Sequence, residues 1–165
     1  IILRRKDEIM RIKTKHFGKI DLDENKILNF ENGILGFEDY KKYTLLYNSE
    51  GGESASDVSW LQSLEEPALA IPVMSPFLVR GDYNPKVEDE LLKPLGDVRP
   101  EDMAVFVSIT VPTDITKLSA NLKAPFIINV QTRKGAQIIV ENQDYEIKYY
   151  FYNQLQSIKE VKEGR

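Results

Sequence analysis

The sequence predicts a mainly β protein, an antiparallel barrel-like or sandwich domain with one or two short helices. Three observations lead there. Roughly ten short runs rich in aromatic and β-branched residues alternate with turn residues, the pattern of a closed or stacked sheet. Helix signals are few, and the clearest spans only residues 87–93. Residues 120–140 read as two strands folded back on each other at the centre of the sheet.

Taken from the N-terminus, residues 11–14 alternate polar and apolar side chains, and Gly18 reads as the turn that joins them to a second strand ending at Leu22. After the polar break at 23–25, residues 26–30 resume as a strand. Residues 31–40 hold Gly33 and Gly36 three apart and end on aromatics. They lack the third glycine of a dinucleotide loop and the Gly-Lys-Ser/Thr ending of a P-loop, so they read as a turn and a packed loop. Residues 43–47 form a strand, and the small polar stretch 48–57 forms an exposed loop. Residues 58–64 return to strand character and carry Trp60, the only tryptophan. It reads as a core anchor rather than a ligand contact, so its truncation to alanine would cost about 3–5 kcal/mol.

Residues 69–74 and 76–79 are apolar runs broken by prolines, and Pro72 marks an edge strand or a bulge. The helix at 87–93 starts just past Asn84-Pro85 and stops at Pro94, and 99–102 suit one further turn. Residues 104–111 are the longest strand-like run, ended by 112–114. A crossover with a short helical turn fills 114–122. In the central hairpin, 126–130 and 137–140 are the strands and 132–135 the loop. Pro125 belongs at the start of the first strand because it has no amide donor, and Gly135 is expected to take positive φ. Residues 145–152 alternate and then cluster aromatics, as a last strand. Leu155, Ile158 and Val161 have helical spacing in an otherwise polar tail. The organisation is therefore an N-terminal extension at 1–9, a single β domain at 10–152 and a C-terminal tail, helical in pattern, at 153–165.

With 165 residues the chain can bury a core without cross-links, and it has no cysteine, which excludes disulfides and thiolate metal sites. No apolar run approaches a membrane span, and a reducing compartment fits. The net charge of −4 conceals an asymmetry. Residues 21–102 hold eighteen acidic against seven basic side chains, a net of −11, while the remainder holds eight against fifteen, +7. That is either a solvated acidic surface or a field that attracts a partner with a basic face and repels nucleic acid.

Catalytic chemistry finds little footing. The single histidine, His16, sits beside Phe17 and Gly18 as a turn residue, and neither Ser63 nor Ser75 has the glycine-flanked setting of a nucleophile elbow. The acidic clusters at 21–24 and 88–90 do not match calcium-loop spacing. A carboxylate pair for glycoside hydrolysis remains open in principle, because such pairs are assembled in space. The aromatics Phe37, Tyr40, Tyr43 and Tyr47 lie in the acidic half, which argues against a nucleic-acid barrel.

Several stretches taken together resemble the FliW family of bacterial flagellar assembly factors. They are Lys13-Thr14-Lys15-His16-Phe17-Gly18, Gly33-Ile34-Leu35-Gly36-Phe37-Glu38-Asp39-Tyr40, Trp60-Leu61-Gln62-Ser63-Leu64, Pro76-Phe77-Leu78, Asn121-Leu122-Lys123-Ala124-Pro125, and Asn129 with Thr132-Arg133-Lys134-Gly135. The match runs from Met10 to about Tyr150. The chain departs from the family in residues 1–9, in the long loop at 49–56, and in the aromatic tail after Lys148. The resemblance implies an antiparallel β-barrel-like (pseudo-barrel) fold and a cytoplasmic, non-enzymatic regulator with no cofactor and no metal. Its implied partners are flagellin and the RNA-binding translational repressor CsrA, whose block on flagellin synthesis it would relieve once flagellin is exported. No direct contact with nucleic acid or membrane is implied. The alternative is a β-barrel chaperone or adaptor that binds flagellin alone. The motif positions best placed to meet a partner are Phe37, Glu38, Asp39, Tyr40, Asn121, Lys123 and Arg133, although Phe37 and Tyr40 could equally plug the core beneath their loop.

Overall fold

A computed structural model of the chain describes residues 9–47, 57–97 and 99–155. The eleven strands among these described residues are β1 Ile9–Lys13, β2 Lys19–Asp23, β3 Leu28–Phe30, β4 Lys42–Tyr47, β5 Ser59–Ser63, β6 Ala70–Met74, β7 Met103–Thr110, β8 Ser119–Ala120, β9 Phe126–Asn129, β10 Lys134–Gln137 and β11 Tyr149–Tyr150. Two one-turn α-helices, α1 Pro76–Val79 and α2 Asp89–Leu92, lie between β6 and β7. Among the described residues no helix is long and apolar enough to cross a membrane.

Seven strands close on themselves in the order β7, β6, β5, β4, β3, β10, β9 and back to β7. The mainly β, barrel-like expectation therefore holds. All pairings are antiparallel save one, since β3 meets β10 in parallel through Asn29 and Lys134. Its length lets β7 serve two sheets. Residues 103–106 pair with β9, whereas Ile109 and Thr110 pair with β8, which in turn pairs with β11. The β1–β2 hairpin stands apart as a two-stranded sheet, turned at Gly18 with φ +65°.

Period-two alternation decides what fills the barrel. Phe30, Tyr43, Leu61, Val73, Phe126 and Ile128 come from five barrel strands and form one buried cluster inside it. Phe30 meets Tyr43 and Phe126 edge-on, with ring centroids 5.4 and 6.3 Å apart. Strand β9 is buried on both faces, as its continuous apolar run predicts. Its outward residue Ile127 packs with Leu95 and Ile138 below α2. A third cluster, built on Met74, Val107, Ile109, Leu122, Val140 and Phe151, lies where β7 leaves the barrel. Here Tyr83 stacks on Tyr145 at 4.7 Å and donates its hydroxyl to the Leu122 carbonyl at 2.8 Å.

Several expectations are corrected. Trp60 is only half-buried and belongs to none of the three clusters. Its neighbour Leu61 takes the inward position, so Trp60 faces outward and carries the His16 ring at 4.0 Å. Its truncation costs only the contacts of a surface pair, not a core cavity. Gly135 does not have positive φ; Arg133 does, at +60°. Gly135 is needed for space, because a Cβ there would lie 2.6 Å from the Phe30 ring. Residues 76–79 are not a strand. Ser75 caps Phe77 N–H and Pro76 sits at the first helical position, so a turn of helix forms instead. Pro72 is not on an edge strand, since β6 lies between β5 and β7, but the β7 ladder ends at Val73 and makes no demand on it. Of the strand expected over 145–152, only Tyr149 and Tyr150 pair. The 87–93 helix is α2 followed by a 3-10 turn, Lys93–Leu95. The loop at 48–57, the extension at 1–9 and the tail at 153–165 fall mostly outside the described residues. Ile9 pairs with Asp23, and 152–155 form one helical turn.

Candidate functional site

The loop at 31–40 closes on itself by short backbone bonds. Gly33 donates to the Phe30 carbonyl at 2.8 Å, Phe37 to Ile34 at 2.7 Å and Tyr40 to Phe37 at 3.1 Å. Both glycines are required by their positive φ, +69° at Gly33 and +88° at Gly36. Gly33 also allows a close approach: a Cβ there would stand 2.5 Å from the Glu38 carbonyl oxygen. Ile34 points inward, 2% exposed. The side chain of Gln137 ties the loop to the barrel, accepting from Leu35 N–H at 2.9 Å and donating to the Ala124 carbonyl at 3.1 Å.

This anchoring turns specific side chains outward. Leu35 and Phe37 are exposed apolar residues, and Glu38 and Asp39 are exposed as well. Tyr40 differs from them and packs against the barrel core. Beside the loop lies a groove of about 300 Å³, walled by Leu35 and Glu38 on one side, Leu91 of α2 on another, and Ile138 and Ile139 after β10 on the third.

The other expected positions lie elsewhere. Asn121 accepts from the Lys123 and Ala124 N–H groups at 3.0 and 3.1 Å, which closes a turn. Lys123 donates its ammonium to the Asn142 carbonyl at 2.7 Å. Both are tied into the scaffold, one step from the loop through Ala124 and Gln137. Arg133 stands at the opposite end of β10, where it donates to the Glu24 carbonyl at 3.0 Å. The seven residues therefore occupy three places and form no single surface. Asn129, in the same sequence motif, is fully buried and bonds the Leu95 and Asp97 carbonyls, a purely structural task.

A second groove was not legible in the sequence. It opens at the barrel mouth beneath the β1–β2 hairpin, with a volume of about 610 Å³. Leu28, Leu45, Phe106 and Ile128 floor it, and Asp21, Lys26 and Arg133 stand at the rim. Such a groove needs strands from across the chain, so no local pattern could have announced it.

Two titrating groups mark the boundary between barrel and loop. Burial pushes the Tyr43 phenol up to about 12, with the Glu65 and Tyr40 charges adding to the shift. Its hydroxyl is buried with no hydrogen-bond partner. Glu65 is held below the usual carboxylate range because it accepts the backbone N–H groups of Lys42 and Lys41. Among the described residues no three histidine or carboxylate side chains gather closely enough to hold a metal ion. What the arrangement offers is contact area: a 31–40 loop tied to the barrel, with exposed apolar side chains beside the exposed acids Glu38 and Asp39.

Residues 11–151 match the family described as "FliW protein". The chain is 51% identical over 155 residues to the flagellar assembly factor FliW of Lachnoclostridium phytofermentans, covering 94% of this chain and 99% of that one. It is 50% identical over 145 residues to the protein of the same name from Lachnospira eligens, covering 87% and 95%. A solved structure described as the crystal structure of the flagellar assembly factor FliW superimposes with a TM-score of 0.77 at 34% identity, covering 87% of this chain and 97% of that one. The barrel, the 31–40 loop and these likenesses together show that the chain belongs to the FliW family of flagellar assembly factors.

Proposed function

We propose that the chain acts in flagellum assembly by adhesion. It binds flagellin and, once flagellin is exported, binds the translational repressor CsrA and so relieves repression of flagellin synthesis. The observation that best supports this reading is the 31–40 loop, which holds Leu35, Phe37, Glu38 and Asp39 outward on a backbone fixed by Gly33 and Gln137. An exposed aromatic beside acids on a preorganised turn suits a protein partner with a basic face. A repressor that holds RNA presents such a face, and an acidic protein docked beside it disfavours RNA through its field. In this reading the chain makes and breaks no bonds, needs no cofactor, and works in the cytoplasm.

The test is a titration of purified flagellin into a preformed complex of the chain with the repressor. Release of the repressor is the expected result. A chain that holds flagellin but never the repressor would be a flagellin chaperone or adaptor without a translational role, and a chain that ignores both proteins refutes the reading. Repressor binding should also weaken as salt rises, and binding indifferent to salt would remove the electrostatic part.

A further inference from the structure

We infer that Asn32 is a site of spontaneous deamidation and isoaspartate formation, and that the closed 31–40 loop sets the rate of that reaction. The site stands whichever partner the loop meets.

Asn32-Gly33 is the one place in the sequence where asparagine precedes glycine. Asparagine is thermolabile, and a glycine after it leaves the next backbone nitrogen without steric cover. The reaction balances with water alone. The Gly33 nitrogen gives up its proton to solvent base and attacks the Asn32 side-chain carbonyl carbon. A new N–C bond closes a succinimide ring while the bond to the side-chain nitrogen breaks, and that nitrogen leaves as ammonia. Water then opens the ring. Cleavage of the new bond restores the ordinary main chain with an aspartate at position 32. Cleavage of the original peptide bond leaves Gly33 joined through the side chain, as isoaspartate. Nothing is oxidised or reduced.

The fold holds this step back. Asn32 is exposed, so water reaches its amide, whereas Gly33 is buried. The proton that must leave is the one Gly33 donates to the Phe30 carbonyl at 2.8 Å, the bond that closes the 30–33 turn. The Gly33 backbone also lies against Glu38, where an added Cβ would stand 2.5 Å from the carbonyl oxygen. Its nitrogen therefore cannot swing to the Asn32 side chain while the turn stays shut. Ring closure needs a local opening, and the Gln137 clamp on the Leu35 N–H at 2.9 Å resists that opening. Nor can the fold discard the glycine, because its φ of +69° and the Glu38 contact both demand it. The product does not revert. Isoaspartate inserts an extra main-chain atom before the Gly33 nitrogen, so Gly33 can no longer meet Phe30 and Glu38 together. A chain that has reacted carries Leu35 and Phe37 on a loosened turn.

The experiment follows the full chain in mildly alkaline buffer by peptide mapping and mass spectrometry, with isoaspartate scored by methyltransferase labelling. It compares the folded unmodified chain, the same chain unfolded in urea, Gln137→Ala and Asn32→Gln. Asn32 should convert about tenfold or more slowly in the folded chain than in urea, and about threefold faster in folded Gln137→Ala than in the unmodified chain. Asn32→Gln should lose the isoaspartate product. Hydrogen exchange at the Gly33 amide of the unmodified chain reads the same opening without any substitution, which keeps the test decisive even where Gln137→Ala folds poorly. A folded chain that converts as fast as the unfolded one overturns the proposal. So does a Gly33 amide that exchanges as freely as in urea, a well-folded Gln137→Ala that converts at the unmodified rate, or an unfolded chain that forms no isoaspartate at position 32.

Discussion

The two grooves are built on opposite plans. The barrel mouth is the larger, yet its floor is the core seen from outside: Ile128 is 4% exposed and belongs to the interior cluster, and Leu28, Leu45 and Phe106 pack against that cluster. The groove beside the 31–40 loop is smaller; Ile138 in its wall belongs to the core, but Leu35, Leu91 and Ile139 stay 53%, 41% and 57% exposed. The difference teaches that the size of a depression is a poor guide to its purpose. Side chains that the fold would lose nothing by replacing say more.

The contrast can be broken at its strongest point first. Ile128→Ala should cost about 2–5 kcal/mol, as a buried isoleucine does, and a thermal or denaturant melt reads it directly. Next is Gly33→Ala, which places a Cβ against the Glu38 backbone at positive φ; a loss of about 1–3 kcal/mol is expected in the same melt. Gln137→Ala removes both clamp bonds and should cost about 1–2 kcal/mol, with faster amide exchange at Leu35 as its local signature. By contrast, Leu35→Ser, Leu91→Ser and Ile139→Ser should each stay within about 0.5 kcal/mol of the unmodified chain, and a larger loss in any of them would place that residue in the core.

Tyr43 supplies a finer test, on the barrel side of the boundary. Its folded-state pKa is raised to about 12, so above pH 10 the unfolded chain releases a proton that the folded chain keeps. Stability is therefore fully present below pH 10 and falls as pH rises toward 12. Tyr83, also raised by burial, adds to the same slope. Tyr43→Phe should flatten that slope, and because the hydroxyl has no partner, it should leave stability at neutral pH unchanged or slightly higher. Denaturant melts between pH 8 and 12 check both statements.

Much of the fold was legible because its signals are local. Gly18, Gly33 and Gly36 all take positive φ in turns the sequence marks, and the longest strand-like run is β7. Where reading failed, a distant neighbour decided the outcome. Gly135 carries turn chemistry by its position, but its real constraint is the Phe30 ring, which no local window contains. Trp60 has the composition of a core residue, and only the inward turn of Leu61 sends it to the surface beside His16. Pro76 interrupts an apolar run that looks like strand, and the Ser75 cap makes it a helix start. The candidate site divides in the same way. The 31–40 loop was readable from its glycines, whereas Leu91 and Ile139 join it only through tertiary folding. Asn121, Lys123 and Arg133 were singled out from other segments and lie apart from the loop.

The parallel pairing of β3 with β10 has a consequence for synthesis. Asn29 and Lys134 are roughly a hundred residues apart, so on the ribosome the open side of β3 waits several seconds, at about 5–20 residues per second, for the strand that will cover it. Until then β3 to β6 form an unclosed sheet with a free rim that other nascent chains could join. Expression at low temperature or with slowed initiation should thus raise the yield of monomer more than any substitution in the finished barrel.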